Sequence, residues 1–199
     1  MIFSMDTTID YYNKHAQSFA KDTYGVDLHH IQDDFLSFIE GKGTILDVGC
    51  GTGRDALYFK THGYPVTAFD GSFALCQIAC QNLQQEVKCL RFEEMAYVNE
   101  FRGVWACSSL LHVPFIQLPG VIEKIVRALK RGGVFYCSFK YGEGEEQRGG
   151  RHFTYLNESL LTSLLDQFPQ LYITSLFITC DARPNRKDEK WLNAILRKQ

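Results

Sequence analysis

The densest chemistry in the sequence lies between residues 47 and 55, Asp-Val-Gly-Cys-Gly-Thr-Gly-Arg-Asp. Gly49, Gly51 and Gly53 alternate with other residues directly after the apolar run Ile45-Leu46-Asp47-Val48. Glycine lets a chain turn tightly and lets a ligand approach the backbone without meeting a Cβ. A turn of this kind between strand and helix serves many nucleotide ligands, so alone it discriminates little. Two details narrow it. The spacing is Gly-x-Gly-x-Gly rather than Gly-x-Gly-x-x-Gly, and Asp47 stands just ahead of the turn. A carboxylate there repels a pyrophosphate and attracts a cationic ligand. Asp70 closes the next apolar run, where an acidic side chain accepts hydrogen bonds from both hydroxyls of a ribose. Phe92-Glu93 follows the third apolar run. Phe92 offers a ring face to a base and Glu93 an acceptor for an exocyclic amine, although a core phenylalanine beside a solvated carboxylate reads equally well. The chemistry expected is that of a nucleoside carrying positive charge and no phosphate.

A second group of residues sits further along the chain. His112 follows the fourth apolar run, and Lys140 and Tyr141 follow the fifth. Arg151 and His152 end a glycine-rich stretch, and Arg183 and Arg186 lie in a polar connection near the C-terminus. His112 has the chemistry of a base or an orienting group. Arg151 with the other cations has that of an anion site, the plain alternative being solvated surface charge.

Positioning both groups requires alternating strands and helices. Helical spacing predicts an N-terminal helix over 11–20 and an amphipathic one over 28–40. Short apolar runs predict strands at 44–48, 65–69, 87–92, 104–108 and 134–139, separated by helices at 54–62, 73–84 and 118–129. The segment 141–151 carries glycines and charges and reads as a mobile loop able to act as a lid. Beyond it come a helix over 157–168 with Asn157 as N-cap and a strand over 171–179. The last segment, 191–197, is a strand or a short helix; as a strand it forms a hairpin at the sheet edge. The βαβα order predicts a mostly parallel sheet of seven strands with an antiparallel edge strand and helices on both faces, placing ligands at the carboxyl ends of the strands. The expected organisation is one domain over 1–199, with a helical cap (1–40), a cofactor-binding core (44–139) and a substrate-side region (140–199).

Composition sets the outer limits. The 199 residues carry a formal net charge of -2, without the basic surplus of a general polyanion binder, so nucleic acid is not an expected partner. No apolar stretch reaches membrane-spanning length, and the opening residues lack the pattern of a signal peptide. The 7 cysteines include no Cys-x-x-Cys pair, which reads as reduced thiols in a cytoplasmic protein and not as a metal site.

The segments DVGCGTGRD and VTAFDGS resemble the first two motifs of class I S-adenosylmethionine-dependent methyltransferases. WACSSLLHVP resembles their fourth-strand motif and LKRGGVFYCSF their fifth strand. The resemblance covers 11–139, and GCGTGRD is similar to the tellurite-resistance branch of small bacterial methyltransferases, a label that associates but assigns no substrate. One departure is Arg102, where many members carry Asp ahead of the fourth strand. The resemblance implies a Rossmann-like fold and S-adenosyl-L-methionine as cofactor. It implies that Asp47 and the backbone through Gly49, Cys50, Gly51 and Gly53 face the methionine part, and Asp70 with Gly71 the ribose. Phe92 and Glu93 would take the adenine, Cys107 would lie near the cofactor through its carbonyl, and Tyr12 would cover it or sit in the core.

Methyl transfer from a sulfonium is an in-line displacement, for which alignment alone supplies about 7–11 kcal/mol in favourable cases. A strong acid/base pair is therefore not required, and His112, Tyr141 and Arg151 are the candidates for the acceptor side. The expected partner is a small-molecule acceptor, an oxyanion or a thiol or chalcogen compound, and the expected state is monomer or homodimer. Methylation of RNA or protein, non-catalytic cofactor binding and nicotinamide chemistry remain as alternatives.

Overall fold

The computed structural model describes residues 5–199; Met1–Ser4, where the expected cap and the signal-peptide reading begin, lie outside the described residues. Five parallel strands form the centre: β1 (Ile45–Val48), β2 (Val66–Asp70), β3 (Lys88–Cys89), β4 (Phe101–Ala106) and β5 (Leu129–Tyr141). Their order across the sheet is β3-β2-β1-β4-β5. The chain reverses between β1 and β4, so the carboxyl end of β1 opens on the crevice where such sheets bind ligands. All four residues of β1 are buried, as a strand covered on both faces requires.

Alternation along the strands feeds two cores. Leu46, Val104, Phe135 and Leu196 point to one face with Ile122 and Ile125 of α5 (Leu118–Ala128) and Leu161 and Leu164 of α6 (Glu158–Leu165). Ile45, Trp105, Tyr136 and Ile195 point to the other with Phe35 of α2 (His29–Ser37) and Phe59 of α3 (Arg54–Thr61). Helix α4 (Phe73–Leu83) lies beside α3 and is capped by Ser72, whose Oγ accepts from Leu75 N–H. Asn157 caps α6 as expected, accepting from Leu160 N–H at 2.9 Å. The N-terminal helix α1 (Met5–Thr23) is longer than expected and kinks at His15, packing on α4 and on the strand Arg151–Leu156.

Three expectations change. The third strand is only two residues long, and Phe92–Glu94 forms a 3-10 turn. The helix expected over 28–40 stops at Ser37. The segment read as a mobile loop is a hairpin, β6 (Glu145–Arg148) paired antiparallel with β7 (Arg151–Leu156). Gly149 and Gly150 both take positive φ, 57° and 79°, giving the two-residue turn whose twist matches paired strands. β7 then runs parallel to the end of β5 at Lys140 and Tyr141. The ambiguous last segment is a strand, β9 (Lys190–Lys198), antiparallel to both β5 and β8 (Leu171–Cys180), so a C-terminal hairpin closes that side of the sheet. Among the described residues no helix is long and apolar enough to cross a membrane.

Candidate active site

Two cavities meet at the carboxyl ends of β1 and β4. Both are lined by Gly49, Gly51, Ser108 and His112, and α1 closes both with Tyr12 and Phe19. The first extends toward the C-terminal hairpin and includes Asp47, Cys50, Arg54, Cys107, Lys140 and Arg151. The second lies over β2 and includes Asp70, Gly71, Leu90 and Phe92.

The turn after β1 is shaped by its glycines. Gly49 has φ of 73°, and a Cβ there would lie 2.6 Å from Ser109 Cβ. Gly51 N–H donates to Asp70 Oδ2 at 2.8 Å, and Ser72 N–H donates to Asp70 Oδ1 at 2.8 Å. Asp70 therefore ties the turn to the end of β2 while lining the second cavity. Burial raises its carboxyl above the usual range, and these two backbone donors oppose the rise.

Asp47 is buried, and its Oδ2 has no hydrogen-bond partner among the described residues. Burial pushes its carboxyl well above the usual range, helped by Asp55 and Asp70 and opposed by Arg54 and Ala56 N–H. A buried polar atom without a partner costs about 1–3 kcal/mol, more for a charged group. The wall of the first cavity thus holds an acceptor suited to a cationic ligand.

Asp55, quoted above only as part of the motif, is satisfied four times over. Arg54 donates through Nε and Nη2 at 2.7 and 3.0 Å, Gln32 Nε2 at 2.8 Å and Trp105 Nε1 at 2.9 Å. These donors outweigh burial and lower its carboxyl. Arg54 also reaches Thr23 O at 3.3 Å, which fixes the last turn of α1 over the first cavity.

Tyr12, His112 and Arg151 come together between the cavities. Tyr12 Oη lies 2.8 Å from His112 Nε2, and His112 Nδ1 lies 2.7 Å from His152 O. The carbonyl only accepts, so Nδ1 carries the proton and Nε2 accepts from Tyr12 O–H. Burial pushes His112 down to about 4; the His152 carbonyl opposes this, and the charges of Arg151, His152 and Lys140 add to it. Burial raises the Tyr12 hydroxyl while Arg151 lowers it. The Arg151 guanidinium lies 4.3 Å from the Tyr11 ring centroid, 5.9 Å from Tyr12 and 5.1 Å from Phe153.

Some expected site residues lie elsewhere. Tyr141 is 38% exposed and donates to Glu158 Oε2 at 3.0 Å, away from both cavities, because the alternation of β5 turns it opposite to Lys140. Glu93 faces outward near Arg91, since the 3-10 turn keeps only Phe92 on the cavity wall. Gly53 caps α3 at φ of 80° and packs toward Leu83, so it shapes the turn without lining a cavity. The His152 ring points to Thr154 Oγ1 and Glu145, and only its backbone serves the site. Lys140, Arg183 and Arg186 do line the first cavity but are ion-paired, with Glu189, Asp181 and Glu189. Residues missed by sequence reasoning include Asn13, whose Oδ1 accepts from Ser72 Oγ and Ala74 N–H, and Ser108, at φ of 52° after β4. The Ser108-Ser109 pair inside the fourth-strand motif was the available signal.

Residues 45–133 match the family described as a methyltransferase domain. The match runs from β1 into β5 of this chain. Its fold is that of the class I methyltransferases. It is similar to the Burkholderia thailandensis 1,6-didemethyltoxoflavin-N1-methyltransferase, solved with 1,6-didemethyltoxoflavin and S-adenosylhomocysteine, at 18% identity and a TM-score of 0.80, over 98% of this chain and 87% of that one. The magnesium protoporphyrin IX methyltransferase of Synechocystis PCC 6803, solved with S-adenosylmethionine, aligns at 15% identity and a TM-score of 0.74, over 98% and 97%. An N-methyltransferase from Bradyrhizobium japonicum WM9, solved with S-adenosylhomocysteine, aligns at 15% and 0.71, over 97% and 96%. No curated protein matches the sequence.

Proposed function

We propose that the chain transfers the methyl group of S-adenosylmethionine to a small-molecule acceptor bound in the cavity that reaches toward Lys140 and Trp191. The observation that carries this reading is the buried, unpartnered Oδ2 of Asp47 beside the glycine turn, at the meeting of two cavities. The residues fit the cofactor. Asp47 suits the cationic methionine end, Gly49 and Gly51 present backbone without side chains, Asp70 with Gly71 suits the ribose and Phe92 the adenine. The similar enzymes were solved with this cofactor or its demethylated product, and the acceptors they are named for are small molecules.

Bound there, the cofactor supplies an electrophilic methyl group on a sulfonium. The chain holds the acceptor in line and excludes water: Tyr12 and Phe19 close the cavities from α1, and His112 and Arg151 face the place where they meet. The acceptor we infer is a small compound whose negative charge, present on binding or developed as the methyl group transfers, rests against Arg151; oxyanions and thiol or chalcogen compounds are suggested only by the resemblance of GCGTGRD to the tellurite-resistance branch.

Calorimetric titration tests the reading. S-adenosylhomocysteine is expected to bind and NAD to give no heat, because Asp47 disfavours a pyrophosphate. Tight NAD binding with no response to S-adenosylhomocysteine would overturn it.

A further inference from the structure

Acceptors of a methyl group are of two kinds. Some present a free electron pair at neutral pH, and others must lose a proton as the bond forms. The polar groups at the junction of the two cavities discriminate between them.

The His112 ring is fixed at both nitrogens, by the His152 carbonyl and by Tyr12 O–H. Its one lone pair is occupied, so a bound compound cannot reach Nε2 while this pair is intact. The Tyr12 oxygen keeps lone pairs of its own, and Tyr12 lines both cavities. Arg151 lies beside it with a buried Nε that lacks a partner. Among the cations on the acceptor-side wall, Lys140 and Arg186 both pair with Glu189 and Arg183 pairs with Asp181, whereas Arg151 makes no ion pair among the described residues. Phe153 and Trp191 add aromatic surface to that wall. The titratable and charged groups facing His112 are Tyr12 from α1, Lys140 from β5 and Arg151 and His152 from β7.

We propose that Tyr12 and His112 form a proton relay for an aromatic acceptor that arrives neutral, with a weakly acidic O–H or ring N–H, and whose developing negative charge rests against Arg151. This rests on the methyl-transfer reading above. The acceptor's proton passes to Tyr12 Oη as the Tyr12 proton passes to His112 Nε2. The electron pair released from that O–H or N–H bond forms the bond to the methyl carbon, and the carbon–sulfur pair stays on sulfur. The His112 imidazolium then donates from both nitrogens, to His152 O and to Tyr12 Oη, and returns its proton to solvent after product leaves. Tyr12 is the residue that touches the acceptor, and His112 acts through it as a positioning residue. A ready-made anion needs no such relay, and Arg151, held in no ion pair among the described residues, is placed to offset one developing charge.

The test uses 4-nitrophenol, with S-adenosylhomocysteine saturating the enzyme at about pH 6, where most of the free phenol is neutral. The expected result is a nitrophenolate absorption band on binding, reduced about fivefold or more in Tyr12→Phe and Arg151→Met. In turnover with labelled S-adenosylmethionine, label should pass to 4-nitrophenol or benzimidazole. Tyr12→Phe should lower kcat about 100-fold, and His112→Gln should lower kcat with little change in KM. S-adenosylhomocysteine affinity, read by calorimetry on each variant, reports folding of the site. No band in the wild type, a band unaffected by Tyr12→Phe, or label passing only to benzoate or selenite would overturn the relay while leaving the cofactor reading standing. Failure of S-adenosylhomocysteine to bind the wild type would overturn both.

Discussion

At the scale of residues, three carboxylates from two short segments face different demands. Asp55 has four donors, Asp70 has two backbone donors and a cavity, and Asp47 has an oxygen with none. The first is structural. Asp55→Ala leaves Arg54, Gln32 and Trp105 without their shared acceptor and should destabilise the fold by about 3–5 kcal/mol, measured by urea unfolding. An effect under about 1 kcal/mol would mean that the network rearranges at little cost. Asp70 is both structural and ligand-facing. Asp70→Asn keeps an acceptor for one backbone N–H and should weaken S-adenosylhomocysteine binding by about 1.5–3 kcal/mol, with circular dichroism unchanged. An unaltered dissociation constant would remove Asp70 from the ribose site. Asp47 and Asp70 were legible because glycine spacing and strand ends mark such positions. Asp55 was not, because its partners Gln32 and Trp105 come from a helix and a strand far away in sequence. Glu93 shows the converse: the residue type was right for an adenine contact, but the 3-10 turn faces it outward.

At the scale of elements, the parallel strands, the crossover helices and the crevice followed from alternating apolar runs. The segment 141–151 did not, and the reason is chemical. Glu145-Glu146-Gln147-Arg148 has no apolar face to reveal a period of two, since β6 is exposed along its length. The readable signal was Gly149-Gly150, a two-residue turn. The consequence reaches the site, because β7 carries Arg151 and the His152 carbonyl that orients His112. Thr154 Oγ1 anchors the same strand to Val113 O at 2.7 Å. Gly150→Val forces a β-branched residue to positive φ and should cost about 1–2 kcal/mol at that turn. If β7 orients His112, this variant should also lower methyl transfer more than it lowers S-adenosylhomocysteine affinity. Equal losses in both would mean that the hairpin acts only through overall stability. Limited proteolysis should likewise cut 141–151 slowly even without ligands, since paired backbone resists cleavage better than a free loop.

At the scale of the whole molecule, buried titratable groups make stability depend on pH in a direction that can be worked out. His112 has a folded value of about 4 against about 6.5 in an open chain, so between these values the unfolded state binds more protons. Its contribution is therefore complete above about pH 6.5, declines as pH falls toward 4, and amounts to about 2–3 kcal/mol after allowance for partial exposure. Asp181, held at about 2 chiefly by Arg183 against the effect of burial, acts in the same sense at lower pH, between about 3.8 and 2. Asp47 acts oppositely: its carboxyl is raised, so its contribution is complete below the open-chain value and is lost as pH rises through the folded one. Over the interval from about pH 4 to 6.5 the Asp47 effect therefore opposes that of His112 for as long as the folded Asp47 stays un-ionised. Because Asp47 is common to both, the wild-type stability read by urea unfolding should rise from pH 4.5 to pH 6.5 relative to that of His112→Gln, whose side-chain carbonyl can still accept from Tyr12 O–H, by about 2 kcal/mol. Saturating S-adenosylmethionine should make the wild type's own stability climb with pH over this interval, because a cation beside Asp47 favours its ionised form and removes the opposing contribution. A midpoint that climbs equally in the wild type and His112→Gln would place the proton uptake on another group and detach His112 from the molecule's response to acid.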